Sequence, residues 1–206
     1  MDPPLPPQAP SVDTAIGLAP RAADVIADPD APRAVRTGSA TLAFFRALFD
    51  REISYVWTSL RRLGVPERDR EDLAHEVFFR VYQRLDLYDP ARPIRPWLFA
   101  FVVRVASEDR RRARHRYEEL GGTDDAALDA VTPEKDGGPD TEVIAAAVLA
   151  LDMDKRAVLV LHDLDGHSVP EIAEALSIPE GTAYSRLRAA REQLTEAVRR
   201  QKRRER

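Results

Sequence analysis

SVPEIAEALSIPEGTAYSRLRAAR, residues Ser168 to Arg191, holds two helix starts and a basic surface in one short stretch. Ser168 with Glu171 is an S-x-x-E pair of the kind that caps a helix N-terminus, and Ser177 with Glu180 repeats the spacing one helix later. Ile172, Ala173 and Leu176 give the first helix an apolar side, and Ala173 is small where two crossing helices must approach closely. After the turn Ser177-Ile178-Pro179, Ala183, Leu187, Ala190 and Leu194 recur at helical spacing and define the inward side of the second helix. Its other side carries Tyr184, Ser185, Arg188 and Arg191, groups suited to base edges and phosphates. This is the layout of a helix-turn-helix whose second helix enters the major groove. The competing reading is an ordinary helical hairpin with a solvated basic face.

The rest of the chain favours the first reading. The net charge of −4 is low for a nucleic-acid binder, but the charge is segregated. Arg104 to Arg116 holds six arginines against Glu108 and Asp109, and Ser185 to Arg206 holds nine Lys/Arg against three Glu. Between them, Tyr117 to Asp154 holds eleven acids against Lys135 alone. Two basic blocks on either side of an acidic connector suit two modules that each meet phosphate.

At 206 residues the chain has room for one or two small domains, and no cysteine occurs, which excludes disulfides and thiolate metal sites. No apolar run approaches the roughly 20 residues that span a bilayer, and no secretory signal pattern opens the chain, so no membrane insertion is expected and the expected location is cytoplasmic. Eight of the sixteen prolines fall before residue 33, and residues 1–38 read as a disordered Pro/Ala-rich tail. Residues 39–116 read as a first helical domain, 117–139 as a flexible acidic linker, 140–200 as a second helical domain and 201–206 as a basic tail. Strand-like alternation is not found, so the expected class is all-α, with two small helical domains.

In the first domain Leu42, Phe45, Leu48, Phe49 and Ile53 predict a helix with an aromatic-rich buried face, broken at Leu63-Gly64-Val65-Pro66. The next helix is expected to open near Asp69 and to bury Leu73, Val77, Phe78, Val81 and Leu85. At roughly 100° per residue, Phe79 projects about 170° from the middle of that stripe. Among Asp72, His75, Glu76 and Arg80 it suggests a docking surface, the alternative being cover by a neighbouring helix. A proline-punctuated turn from Tyr88 to Pro96 precedes a third helix expected to open at Trp97-Leu98-Phe99 and to end in Arg110-Arg111-Arg112. Aromatics beside a basic surface suit stacking on unpaired bases, although core packing is the leading reading of Trp97 itself.

Two separated blocks carry a resemblance. DREDLAHEVFFRVYQRL (Asp69 to Leu85) with PIRPWLFAFVVRVASEDRRRARHR (Pro93 to Arg116), and the segment from Leu149 through Leu194, resemble regions 2 and 4 of sigma factors of bacterial RNA polymerase, of the extracytoplasmic-function (ECF) group. The resemblance implies an alternative sigma factor that binds core RNA polymerase, through its clamp coiled coil and flap, and recognises and locally melts double-stranded promoter DNA. It implies core contacts at Asp69, Asp72, His75, Glu76, Phe79 and Arg80. Contacts to the −10 element would come from Trp97, Arg104, Arg110, Arg111 and Arg112. Contacts to the −35 element would come from Thr182, Tyr184, Ser185, Arg186, Arg188 and Arg191. An anti-sigma factor is a candidate further partner. The chain departs from the usual family pattern at Val103-Arg104, where Arg-Asn is common, at His75 for Gln, at Ala189 for Arg, and at Asp152-Met153-Asp154 for Leu-Pro.

No catalytic role is expected, and neither a cofactor nor a metal. His75, His115, His162 and His167 form no ligand spacing, and Asp163-Leu164-Asp165-Gly166 lacks the downstream carboxylates of a calcium loop, so it reads as a turn. Two other classes remain as alternatives: a stand-alone helix-turn-helix regulator binding a palindrome as a dimer, which leaves the first domain without a role, and a basic adaptor without sequence preference.

Overall fold

The computed structural model describes residues 39–119 and 139–204; the tail, most of the acidic linker and the last two residues, all read above from composition, lie outside the described residues. Among the described residues there are seven α-helices: α1 (Ser39–Arg62), α2 (Glu67–Gln83), α3 (Ile94–Glu119), α4 (Pro139–Leu149), α5 (Met153–Leu159), α6 (Val169–Ala175) and α7 (Glu180–Arg204). A 3₁₀ turn, Leu85–Leu87, follows α2, and α5 widens into a π turn at Val160–Leu164. The described residues contain no strand, as the all-α expectation required.

Helix ends follow local chemistry. Gly64, with φ +89°, closes α1: its N–H reaches the Arg61 carbonyl at 2.9 Å and that of Val65 reaches Leu60 at 3.0 Å. Those two bonds form a Schellman motif, which needs a left-handed residue and so favours glycine. Pro66 then leads into α2, which opens at Glu67, two residues before the expected start. The third helix opens at Ile94, three residues early, because Pro96 falls in the first turn, where no N–H is needed. Asp152, which stands where the family usually has Leu-Pro, is the N-cap of α5 and accepts from the Lys155 N–H at 2.9 Å.

Helices α1, α2 and α3 pack on one another, and α4, α5 and α6 pack around α7. Val56, Leu60, Val77, Phe78, Val81, Leu98, Phe99 and Val102 fill the first bundle, and Leu159, Leu161, Ile172, Ala183, Leu187 and Ala190 the second. Burying each large apolar side chain is worth about 1.5–3 kcal/mol. Phe45 and Phe49 bring edge and tilted ring contacts to Phe78, at 6.3 and 4.7 Å between centroids. Leu42, expected in the buried face, is 40% exposed, whereas Phe45 one turn on packs against Phe78 and Tyr82. The two bundles also touch: α3 packs on α6 and α5, and α1 on α4. Among the described residues, no helix is long and apolar enough to cross a membrane.

Candidate nucleic-acid and polymerase interfaces

The first capping box forms as read. The Ser168 N–H donates to Glu171 at 2.8 Å, the Ser168 side chain faces the Glu171 N–H at 3.5 Å, and Pro170 sits in the first turn. The second does not form. Ser177 takes the left-handed conformation, φ +55°, and α7 begins at Glu180, so Glu180 is the first helical residue rather than the third. The Ser177 and Ile178 N–H groups instead close α6 on the carbonyls of Glu174 (3.1 Å) and Ala173 (2.9 Å). Ser177 is therefore the C′ residue of a Schellman motif, a position usually given to glycine. That left-handed turn swings the chain from α6 into α7 within four residues. Ala173, Ala183 and Ala190, all nearly or fully buried, let the two helices approach closely.

Helix α7 buries Ala183, Leu187 and Ala190 and leaves Tyr184, Ser185, Arg188 and Arg191 on its outer side, Tyr184 at 57% exposure. Thr182 is half-buried beside them, and its carbonyl accepts from the Ser185 hydroxyl at 2.9 Å. Arg188 donates to Glu192 one turn on at 3.0 Å. Arg191 is tied to Asp163 of the π turn, whose carboxyl its hydrogen bonds hold below the usual carboxylate range. Arg186 points the other way, to Asp154 at the start of α5, and braces the bundle rather than joining the outer stripe.

On α2 the six residues expected to dock divide in two. Asp72, His75 and Phe79 are exposed at helical spacing, Phe79 at 58%, so the neighbouring-helix alternative for Phe79 does not hold among the described residues. Arg80 turns inward, donating to Glu76 at 2.7 Å and to Glu108 of α3 at 2.8 Å. Asp69 faces a cavity of about 190 Å³ at the foot of α3, lined also by Arg68, Asp109, Arg110, Arg114 and Arg116.

On α3, Trp97 is half-buried, its ring 5.3 Å from Tyr88 and 4.9 Å from Phe101. It is thus both packed and partly open, which the choice between core and contact had left apart. Arg104 donates to Glu108 at 3.0 Å, and Arg112 lies 3.6 Å from the same carboxylate. Burial raises the Glu108 pKa, but hydrogen bonds from Arg80 and Arg104 outweigh it and hold the carboxyl below its ordinary value. Arg111 and Arg112 are exposed and Arg110 half-buried. Tyr55, Arg62, Arg156 and Asp165 carry polar ties between the bundles that the sequence did not signal.

The comparisons follow this division. Residues 48–116 match the Sigma-70 region 2 family and residues 141–194 the Sigma-70 region 4 family. The chain is 34% identical over 155 residues to the ECF RNA polymerase sigma factor SigL of Mycobacterium tuberculosis, covering 74% of this chain and 87% of that one. The chain is an ECF sigma factor. It is also 32% identical to SigW of Bacillus subtilis, over 64% of this chain and 76% of that one. Among solved structures it is similar to CnrH in complex with the cytosolic domain of CnrY (27% identity, TM-score 0.52, 74% of this chain and 85% of that one). The fold is shared with RpoE in complex with the anti-sigma factor NepR from Bartonella quintana (22% identity, TM-score 0.61, 75% and 96%).

As a sigma factor it binds core RNA polymerase and promoter DNA and directs initiation, while bond chemistry belongs to the polymerase. The stand-alone regulator is not favoured, since region 2 and region 4 are both present.

Proposed function

We propose that the contacts of this ECF sigma factor divide by element. The exposed Asp72, His75 and Phe79 stripe of α2 docks on core polymerase, with Glu76 and Arg80 bracing it through Glu108 and Asp69 at its edge. Trp97, Arg104 and Arg110 to Arg112 of α3 receive the melted −10 element. Capturing unstacked bases costs a few kcal/mol, offset by stacking and phosphate neutralisation. Thr182, Tyr184, Ser185, Arg188 and Arg191 of α7 read the −35 element, with Arg186 supporting them from the buried side.

The observation that carries this reading is the two-sidedness of α7. Ala183, Leu187 and Ala190 are buried while Tyr184, Arg188 and Arg191 face outward, the disposition a groove-reading helix needs. We place region 2 at residues 39–116 and region 4 at 140–200, and assign the protein to the cytoplasm with its polymerase. The likeness to CnrH, solved with a partner's cytosolic domain, supports an anti-sigma factor as a further partner.

The test is transcription by purified core polymerase with and without the protein on a pooled promoter library. Run-off transcripts sharing −35 and −10 elements are expected. Palindrome binding by the protein alone, with no transcripts, would instead favour the dimeric regulator.

A further inference from the structure

A cavity of about 130 Å³ lies beside the turn that leads into α3. Tyr88, Asp89, Arg92 and Trp97 line it from the turn and α3, and Glu171 and Glu174 line it from α6. Much of the remaining lining is apolar, Pro93 and Pro96 included. The two rings are fixed by their own neighbours. Tyr88 Oη donates to the Arg92 carbonyl at 2.8 Å, and the Tyr88 ring lies 6.4 Å from Phe44 and 5.3 Å from Trp97, centroid to centroid. Trp97 in turn meets Phe101 edge-on at 4.9 Å. Burial holds the Tyr88 phenol above its ordinary value, so the ring stays neutral. Trp97 Nε1 is buried and has no hydrogen-bond partner among the described residues, so that ring brings an unmet donor as well as its face.

The charge around these rings is negative. Asp89, Glu171 and Glu174 stand against one guanidinium, that of Arg92, which pairs with Asp89 at 3.3 Å and with Glu174. Glu171 stays ionised: its Oε2 accepts from the Ser168 hydroxyl at 2.7 Å and N–H at 2.8 Å, and these bonds hold the carboxyl below its ordinary value. Its Oε1 accepts no hydrogen bond among the described residues. An anion is repelled by such a lining. A hard divalent cation needs several oxygens converging on one point, and no group of three carboxyl or imidazole side chains among the described residues is placed to hold a metal ion. Negative charge spread beside aromatic faces suits instead a larger cation whose own charge is diffuse.

We propose that this cavity binds a small organic ammonium ion, its head group against the Tyr88 and Trp97 rings and its charge balanced by Glu171 and Glu174.

Choline, whose hydroxyl can also accept from Trp97 Nε1, and putrescine are titrated separately into the full chain by calorimetry. Neither polymerase nor DNA enters the measurement, so its outcome is independent of the promoter reading. At least one of the two should bind saturably, with a Kd of about 10 μM to 1 mM, while sodium chloride of equal ionic strength gives no saturable heat. Trp57→Phe leaves Trp97 as the only tryptophan, and its emission should change with the same Kd. Glu171→Gln keeps the capping box, because glutamine serves that position as glutamate does, and should weaken binding by about three- to tenfold. Trp97→Leu should weaken it by about tenfold. No saturable binding of either amine up to about 10 mM overturns the site. So does an affinity unchanged in both Glu171→Gln and Trp97→Leu, or a Trp97 emission that does not respond while heat is released, since the amine then sits elsewhere. Should Trp97→Leu lose helicity, Glu171→Gln decides.

Discussion

Asp163 and Arg191 are joined by two hydrogen bonds, one of 3.0 Å to Oδ2 and a second to Oδ1, so α7 presents one of its outward cations already neutralised. Arg188, three residues earlier, is 83% exposed and pairs with the exposed Glu192 one turn on. A phosphate must displace Asp163 to recruit Arg191, whereas Arg188 is open to it. Arg188→Ala should therefore weaken binding to a −35 duplex more than Arg191→Ala, each lowering the salt slope by about one. Asp163→Ala should tighten binding. Fluorescence anisotropy across a salt series checks the order, and a larger loss for Arg191→Ala would reverse it.

The same pair sets part of the acid response. The Asp163 carboxyl is held below its ordinary value by the Arg191 hydrogen bonds. A carboxyl depressed in the folded state adds stability above its unfolded value, about 3.9, and loses it as pH falls through the folded value. Asp163→Asn should thus lose less stability than the parent between pH 7 and pH 3.5. Urea midpoints at the two pH values measure this; equal losses would show that other carboxyls carry the acid response.

Ser177 holds a left-handed turn that costs a side-chain-bearing residue about 1–2 kcal/mol. Its hydroxyl is buried without a hydrogen-bond partner among the described residues. Ser177→Gly should relieve both, against the larger entropy of glycine in the unfolded chain, for a net gain of about 0.5–1 kcal/mol. Thermal melts should rise by about 2–4 °C per kcal/mol gained. A fall would mean that the Ser177 side chain holds the α6–α7 turn in some other way.

Arg156 is 1% exposed, and its guanidinium donates to the carbonyls of Leu63, Leu149 and Leu151, the last at 2.7 Å. Removing it strands three carbonyls and opens a void. Arg156→Ala should destabilise the chain by about 3 kcal/mol or more, since each buried unpaired acceptor costs ~1–3 kcal/mol. Arg156→Lys should recover part of this, because one ammonium can serve fewer of three spread acceptors. Chemical denaturation of the three proteins gives the order.

These cases show why the sequence was legible in some places and not in others. Periodicity announced α2 and α7, because the burial of Val77, Phe78 and Val81, and of Ala183, Leu187 and Ala190, follows the helical repeat. The same repeat put Phe79 outside. The S-x-x-E spacing was ambiguous: at Ser168 it is a capping box, whereas at Ser177 the Pro179 that follows moves the helix start to Glu180. Spacing alone does not distinguish a capping serine from a left-handed one. The inward turn of Arg80 and Arg104 onto Glu108, and of Arg186 onto Asp154, depends on which helix lies opposite. The Tyr55 to Asp165 contact joins residues 110 apart and has no local signature.

Phe79 is the sharpest probe of the docking surface proposed on α2, because nothing in the described fold covers it. At 58% exposure, beside exposed Asp72 and His75, its ring contributes little to the bundle, and Phe79→Ala should change stability by no more than about 0.5 kcal/mol. In a core interface an aromatic anchor commonly costs ~2 kcal/mol or more when truncated, which is a loss of roughly thirtyfold in affinity. Affinity for core polymerase should fall by about that factor while binding to an isolated −35 duplex is unchanged. Asp72→Ala, at the polar edge of the same stripe, should cost less. Competition for labelled core polymerase, read beside thermal melts, separates the two effects. Full core affinity in Phe79→Ala would remove α2's exposed stripe from the docking surface, and a large drop in melting temperature would show that the ring is structural.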